Sequence, residues 1–484
     1  MKPNCYILFL LISFCIPSLI YAQKEINPPG FIEQKGNTSQ IDSSSNLIIK
    51  GINISGNKKT KSYIILREVQ FKTGDSIIAG ALFQQIEQAR RQVYNTTLFS
   101  EVSMTIDYIS TTEIILHIAV KEKWYIYPSP QFQLVDRNFN EWIKVYNADL
   151  TRVIYGAKFE HYNLSGRRDK LKIYLLNGYA RNFSFNYFAP YSNSALTEGF
   201  GVGGGYTQNR EISYRTSYNN KLVFYNNQAK FVRTTAYGGA SYLIRRGYFR
   251  QHIISLSYTR YNINDTVIKF LNPLYFNSTK SSLGFTDASY AYRYANTNNI
   301  NYPLSGQILN ASFLKRGTGF NGGINMIGLD VSYQKFIPHY KNWYSSVQVI
   351  SKIKLPFEQP YINLRSMGYS DNYLRGLEYY VIDGVASFVG KYTLSKKIIA
   401  FKFHSPVLKK IIPVIPFSFY GKAYGDVGYN YIKPQFESQL NNRFLYSTGF
   451  GLDILSLWDM RLSLEYSFNQ LGENGLFLHT KGGF

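Results

Sequence analysis

From about Trp124 to Phe484 the chain alternates apolar and polar residues, segment after segment, with almost no helical period. Successive side chains of a strand point to opposite sides, so such a pattern builds a two-faced sheet. In WDMRLSLEYSFNQ, Trp458, Met460, Leu462, Leu464, Tyr466 and Phe468 fall on one face, and Asp459, Arg461, Ser463, Glu465, Ser467 and Asn469 on the other. NFSFNY opposes Phe183, Phe185 and Tyr187 to Ser184 and Asn186, and IISLSYT opposes Ile254, Leu256 and Tyr258 to Ser255, Ser257 and Thr259. Alternation alone does not say whether the apolar face meets a core or lipid. The aromatic content does more, because 43 Tyr and 34 Phe crowd strand ends as an interfacial girdle would, while charged residues are only 17% and no long apolar run occurs here. The expectation is a transmembrane antiparallel β-barrel over residues 124–484, its polar parity lining a wet lumen. At about 22 residues per strand and connection, that length holds about 16 strands.

The amino terminus agrees with export. Lys2 precedes an apolar stretch from Ile7 to Tyr21 that ends before Gln23, which reads as a signal peptide over residues 1–22. It falls short of the ~20 apolar residues a spanning helix needs. Cys5 and Cys15 both lie inside it, so the mature chain has no thiol chemistry. Residues 23–46, rich in Pro, Gly, Ser, Asn and Gln, read as a flexible linker. The formal net charge of +23 points to an anionic partner, nucleic acid or a membrane surface. Lys and Arg are scattered rather than clustered and the chain carries an export signal, so nucleic acid is set aside.

No enzyme constellation is present. The six histidines are scattered with no metal-ligand spacing, and no cofactor or metal is expected. GFGVGGGY, residues 199–206, lacks the helix pattern and the lysine of a phosphate loop; glycines that let barrel strands bend explain it better.

Residues 47–123 differ in character. LIIKGINISGN is a strand closing at Gly56 and Asn57; KSYIILREV and GALFQQIEQARRQVYNTTLF have helical spacing; SEVSMTIDYI and EIILHIAVKEKW are two alternating strands. The order β-α-α-β-β predicts two helices on a three-stranded sheet. It resembles a POTRA domain, carried by IKGINISGNKKTK, the Arg67-Glu68 pair, Gly74 and TTLFSEVSM.

One such domain before a barrel resembles the architecture of the BamA and TamA superfamily of outer-membrane insertases and their secretion relatives. Further matches are the turn at Asn163, Leu164 and Gly166, and Pro190-Tyr191 closing FSFNYFAPY. NYLRGLEYY resembles the family's inward-folded loop, with Leu374, Arg375, Gly376 and Leu377 at its tip, although the family usually has an aromatic where Leu377 stands. The resemblance implies that Arg375 meets an acidic residue of the lumen wall. Asp426 matches, on a face shared with Lys422, Tyr424, Gly428 and Asn430, while Lys391 stands where relatives place a second carboxylate. Phe484 resembles the terminal signal read by barrel-assembly machinery. Pro128 and Pro130 fall in the first barrel strand, where they remove hydrogen bonds from the seam with the last.

The resemblance implies an outer-membrane location in a Gram-negative bacterium, with the POTRA domain in the periplasm. It implies insertion or translocation of client proteins, held at the POTRA edge and the seam, with outer-membrane lipids and accessory envelope proteins as further partners. The alternatives are a passive outer-membrane channel or structural barrel, or a dedicated two-partner-like secretion pore.

Overall fold

The computed structural model describes residues 32–35, 42–135, 143, 147–317, 324–369, 372–404, 414–433 and 438–481. The signal peptide and Phe484 lie outside the described residues.

The small domain runs β1 (Ile32–Lys35), β2 (Asn46–Ser55), α1 (Ser62–Leu66), β3 (Ser76–Ile78), α2 (Ala79–Tyr94), β4 (Phe99–Tyr108) and β5 (Glu113–Glu122). Its sheet has five strands in the order β1-β4-β5-β2-β3, not the expected three. The two additions are short and carry no sustained alternation. β3 is three residues long, and β1 comes from the segment read as linker, where Ile32–Lys35 pairs in parallel with Met104–Asp107 of β4. Part of that linker is therefore sheet. The helical spacing of α2 places Leu82, Ile86, Ala89 and Val93 against the sheet, where all are buried with Leu47, Ile49, Met104, Ile106, Leu116 and Ile118.

The remaining strands are β6 (Ile126–Leu134), β7 (Val153–His161), β8 (Lys170–Gly178), β9 (Ala180–Ala189), β10 (Glu198–Asn209), β11 (Glu211–Thr216), β12 (Leu222–Asn226), β13 (Arg233–Arg246), β14 (Arg250–Ile263), β15 (Ser282–Thr297), β16 (Gly306–Arg316), β17 (Met326–Pro338), β18 (Trp343–Leu355), β19 (Arg365–Met367), β20 (Ile382–Asp383), β21 (Ala386–His404), β22 (Val414–Tyr431), β23 (Phe444–Leu455), β24 (Arg461–Asn469) and β25 (Asn474–Lys481). Sixteen of them form one antiparallel sheet in chain order, from β6 to β25. The hairpins β11-β12 and β19-β20 are separate and sit in the connections after β10 and β18.

The sheet is curled, since residues far apart in strand order touch. Asn299 after β15 donates to Asp459 before β24 (3.0 Å), and Asn220 between β11 and β12 donates to Ser438 before β23 (2.7 Å). Its outer face carries the apolar parity. Ile254, Leu256 and Tyr258 of β14 are about half exposed, as are Phe183 and Phe185 of β9, a band suited to lipid. The opposite parity is covered: in β24, Ser463, Glu465 and Ser467 are buried in the lumen. That strand starts at Arg461, after a 3-10 turn over Leu457–Asp459, so Trp458 precedes the alternating strand. The glycine run of β10 serves close packing: a Cβ on Gly201, Gly203 or Gly205 would meet Ser241, Asn186 or Ser184 side chains at 2.5–2.7 Å.

Motifs scattered in sequence converge where the small domain docks on the barrel. Glu68, at the end of α1, takes both guanidinium ends of Arg245 at the end of β13 (2.5 and 2.7 Å) and the Tyr191 hydroxyl (2.9 Å). Arg67 beside it donates to the carbonyls of Leu196 and Gly247 (3.1 and 2.7 Å). Asn163, fully buried in the β7-β8 turn, donates to Thr60 (2.9 Å), and Tyr94 donates to Asp459 (2.7 Å).

Burial pushes the Glu68 carboxyl up, but Arg245 in contact, with Arg168 and Arg67 behind it, pulls further the other way and leaves it below the usual carboxylate range. A depressed folded value contributes stability that is present above the unfolded value of about 4 and is lost as pH falls through the folded one. Arg245→Ala strands a buried carboxylate at a cost of about 3–5 kcal/mol. We expect this variant to expose the 123–126 junction to protease at neutral pH, and wild type to show the same cleavage only on acidification; an equally protected variant would show that the pair does not hold the domain.

Candidate functional site

The connection from β18 to β21 folds into the barrel rather than out of it. Its apolar residues explain why: Met367, Leu374, Leu377, Tyr380 and Ile382 are buried against Ile350, Val389, Leu440 and Leu445. Each buried leucine contributes about 1.5–3 kcal/mol to that inward placement. The tip turns through Leu377 N–H to Leu374 O (3.0 Å) and Tyr380 N–H to Leu377 O (3.0 Å). Gly376 sits at φ +86°, and a Cβ there would meet Ser467 Cβ at 2.9 Å, so conformation and space both require glycine. Asn469 at the end of β24 donates to its carbonyl (2.8 Å).

This tip carries Arg375 to the wall. Its Nε and Nη2 donate to Asp426 Oδ2 (3.0 Å) and Oδ1 (2.5 Å), and its own backbone N–H donates to Oδ2 as well (3.0 Å). Nη1 donates to Thr393 Oγ1 (2.9 Å) and Nη2 to Tyr392 O (3.3 Å). The guanidinium lies 3.9 Å from the Tyr424 ring centroid. Arg375 is 8% exposed and Asp426 1%, so the pair is effectively dry. A planar fork on a carboxylate with its remaining donors served is the geometry in which burying a charge pair is tolerable.

The structure thus places Leu374, Arg375, Gly376 and Leu377 at one point of the lumen wall and brings Arg375 to Asp426. Leu374 lies on Gly428, where an added Cβ would meet it at 3.0 Å. Leu377 fills a buried apolar place, which accounts physically for an aliphatic residue there. Lys391 is the cross-strand neighbour of Asp426, and its ammonium lies 4.4 Å from the Tyr373 ring centroid. Among the described residues Asp426 is the sole carboxylate hydrogen-bonded to Arg375. Thr393 and the Tyr424 ring were not assigned as Arg375 contacts from sequence; strand parity was the available signal, since Tyr424 is two residues from Asp426. Lys422 holds both Asp453 and Glu465 at 2.6 Å, a bridge between β22, β23 and β24 that no sequence spacing announces.

At the sheet's ends lie β6 and β25. Every neighbouring pair between them shares a ladder, whereas among the described residues β6 and β25 share none. Tyr162 N–H donates to Tyr125 O and Val135 N–H to Arg152 O, so odd-numbered residues of β6 direct backbone groups to β7. The even-numbered ones, Pro128 and Pro130 included, therefore point away from β7, and that side of the strand lacks two donors.

Residues 47–123 match the family model for POTRA, surface antigen variable number repeat. Among solved structures the chain is similar to CdiB from Escherichia coli, with 11% identity and a TM-score of 0.52 over 96% of this chain and 92% of that one. It is also similar to BamA from Haemophilus ducreyi lacking POTRA domains 1–3, with 16% identity and a TM-score of 0.47 over 90% of this chain and 84% of that one. No curated protein matches the sequence. The fold is a POTRA domain followed by a 16-stranded antiparallel barrel.

Arg375→Ala leaves Asp426 uncompensated in a dry site, a loss of about 3–5 kcal/mol. Asp426→Ala should cost a similar amount and the double variant little more, read as the temperature at which the folded band disappears in heat-modified gel migration. Additive losses would mean the two residues do not act as a pair. Arg375→Lys should not restore the wild-type temperature, since an ammonium cannot engage both oxygens and the Tyr424 face together.

Proposed function

We propose that this protein is an outer-membrane barrel of the insertase or translocase type, which handles client proteins through its seam while its POTRA domain stands in the periplasm. The observation that carries this reading is that, among the described residues, β6 and β25 share no ladder, whereas every other neighbouring pair of the sixteen strands does. In lipid every backbone donor and acceptor must be paired, so an incoming strand needs a template before it leaves water. A weakly paired edge supplies one by β-augmentation. Pro128 and Pro130 weaken the alternative in which β6 pairs permanently with β25.

The domain's own edges bear on client capture. β1 already occupies the free side of β4, so a client strand binding there displaces the chain's own residues, whereas β3 leaves a three-residue edge with Ile78 half exposed. Outer-membrane lipids meet the apolar band, and accessory envelope proteins would meet the POTRA faces. The inward loop, pinned through Arg375, keeps the lumen wall beside the seam in one arrangement while the edges exchange partners.

Depletion in the parent bacterium should lower the folded amounts of several outer-membrane proteins. A loss confined to one secreted protein would point to a dedicated pore, and a change in solute uptake alone to a passive channel; either overturns the general insertase reading. Pro128→Thr with Pro130→Thr returns two donors to the seam, worth about 1–3 kcal/mol. Client assembly in reconstituted vesicles should then slow by about one to two orders of magnitude, and an unchanged rate would remove the seam from the mechanism.

A further inference from the structure

A second set of chemically capable side chains lies near the inward loop, separate from the Arg375–Asp426 contact. Glu378 follows Gly376 by two residues, Glu465 is on β24 and His479 is on β25, and one ligating atom from each lies within 4.8 Å of the other two. His479 Nε2 is 3.4 Å from Glu378 Oε1 and 3.4 Å from Glu465 Oε2. Both Glu378 oxygens, Glu465 Oε2 and His479 Nε2 are shielded from solvent, and none makes a hydrogen bond. Glu465 is 5% exposed, with Oε1 held by Lys422 and Oε2 aimed at the histidine. The Tyr373 ring stacks on the imidazole at 5.6 Å and 23°, which fixes the plane in which Nε2 points.

One nitrogen carries at most one proton, so it can serve one of the two carboxylates facing it and leaves the other oxygens orphaned. Buried carboxylate oxygens without partners are costly, and two such groups facing one histidine repel each other. A single divalent cation would satisfy all of them at once. One imidazole nitrogen with carboxylate oxygens suits a first-row transition ion better than calcium or magnesium, which prefer all-oxygen shells.

We propose that Glu378, Glu465 and His479 form a divalent transition-metal site, with zinc the fitting ion, that clamps the inward loop to the last two strands of the barrel. Zinc bonds of about 2.0–2.2 Å place ligand atoms three to four ångströms apart, in keeping with the 3.4 Å separations here. Three protein ligands leave a position for water. The clamp reaches β25, the strand at the open edge, and so couples the loop to the seam. The inference rests on these three side chains and holds whether or not the barrel handles clients.

The full chain, purified in detergent and stripped with chelator, should take up about one equivalent of zinc on titration, read by calorimetry and by metal analysis after dialysis. Glu378→Gln and His479→Gln should each weaken uptake by tenfold or more, and magnesium in excess should not displace the ion. Zinc should raise the heat-modification temperature of wild type but of neither variant. Equal uptake by wild type and both variants, or none by wild type, overturns the proposal, the latter leaving a protonated His479 between the two carboxylates. Should a variant fail to fold, cobalt added to wild type decides: visible d–d absorption abolished by zinc supports the site, and its absence overturns it.

Discussion

The constraint on which this structure depends is the obligation to pair every backbone donor and acceptor that faces lipid. Sixteen antiparallel strands in chain order meet it, each bonded to the next strand of the sheet. Everything else follows from the two-residue period that this pairing imposes. The outward parity must be apolar, the inward parity is freed for polar and charged groups, and a charge can sit at depth only if the lumen supplies its partner. Arg375 and Asp426 meet that condition, as do Lys422, Asp453 and Glu465. Among the described residues the one neighbouring pair without a ladder is β6 and β25, so the exception is confined to one junction.

Two buried arginine–carboxylate pairs, one where the POTRA domain meets the barrel and one on the lumen wall, do different mechanical work. Glu68 and Arg245 join the POTRA domain to the barrel's near turns, and Arg375 and Asp426 join the inward loop to the wall. In both, the carboxylate is nearly inaccessible and the arginine makes further bonds to carbonyls or hydroxyls. Separating either pair leaves a charge without solvent, so each contact is held or lost as a unit rather than loosened by degrees.

The barrel was legible in the sequence because alternation is a local signal repeated over many strands, and strand count follows from length. Asp426 was legible by parity and resemblance together. The additional POTRA strands were not, since β3 is three residues and β1 lies in a segment whose composition reads as linker; its pairing with β4 is decided by a partner seventy residues away. The Glu378, Glu465 and His479 cluster was invisible for a related reason. Its members come from a loop and two strands, so no spacing within one element announces them, and only the register of β24 on β25 makes two of them diagonal neighbours on one face. The junction motifs show the converse. Arg67-Glu68, Asn163, Gly166 and Tyr191 were each noticed as family-like residues, and the structure gives them a common physical role in docking the small domain.

The distribution of fastenings also says which side of the seam can move. β25 is tied inward: Tyr379 packs on Phe477, Tyr373 stacks on His479, and Tyr380 donates to Glu473 in the turn before the strand. The loop making these contacts is itself held by Arg375. β6 is paired along its length with β7, and its start is anchored on the POTRA domain, where Tyr125 is buried with its hydroxyl on Thr60 and the Leu98 carbonyl. Beyond that anchor its side chains are mostly exposed or half-exposed, its even-numbered backbone groups point away from β7, and two of those positions are proline. A strand short of donors along one side holds a partner there less firmly than one with every donor in place. The opposite edge, braced by the loop, stays in place as the template, so in the proposed mechanism an incoming strand registers on β25 while β6 yields.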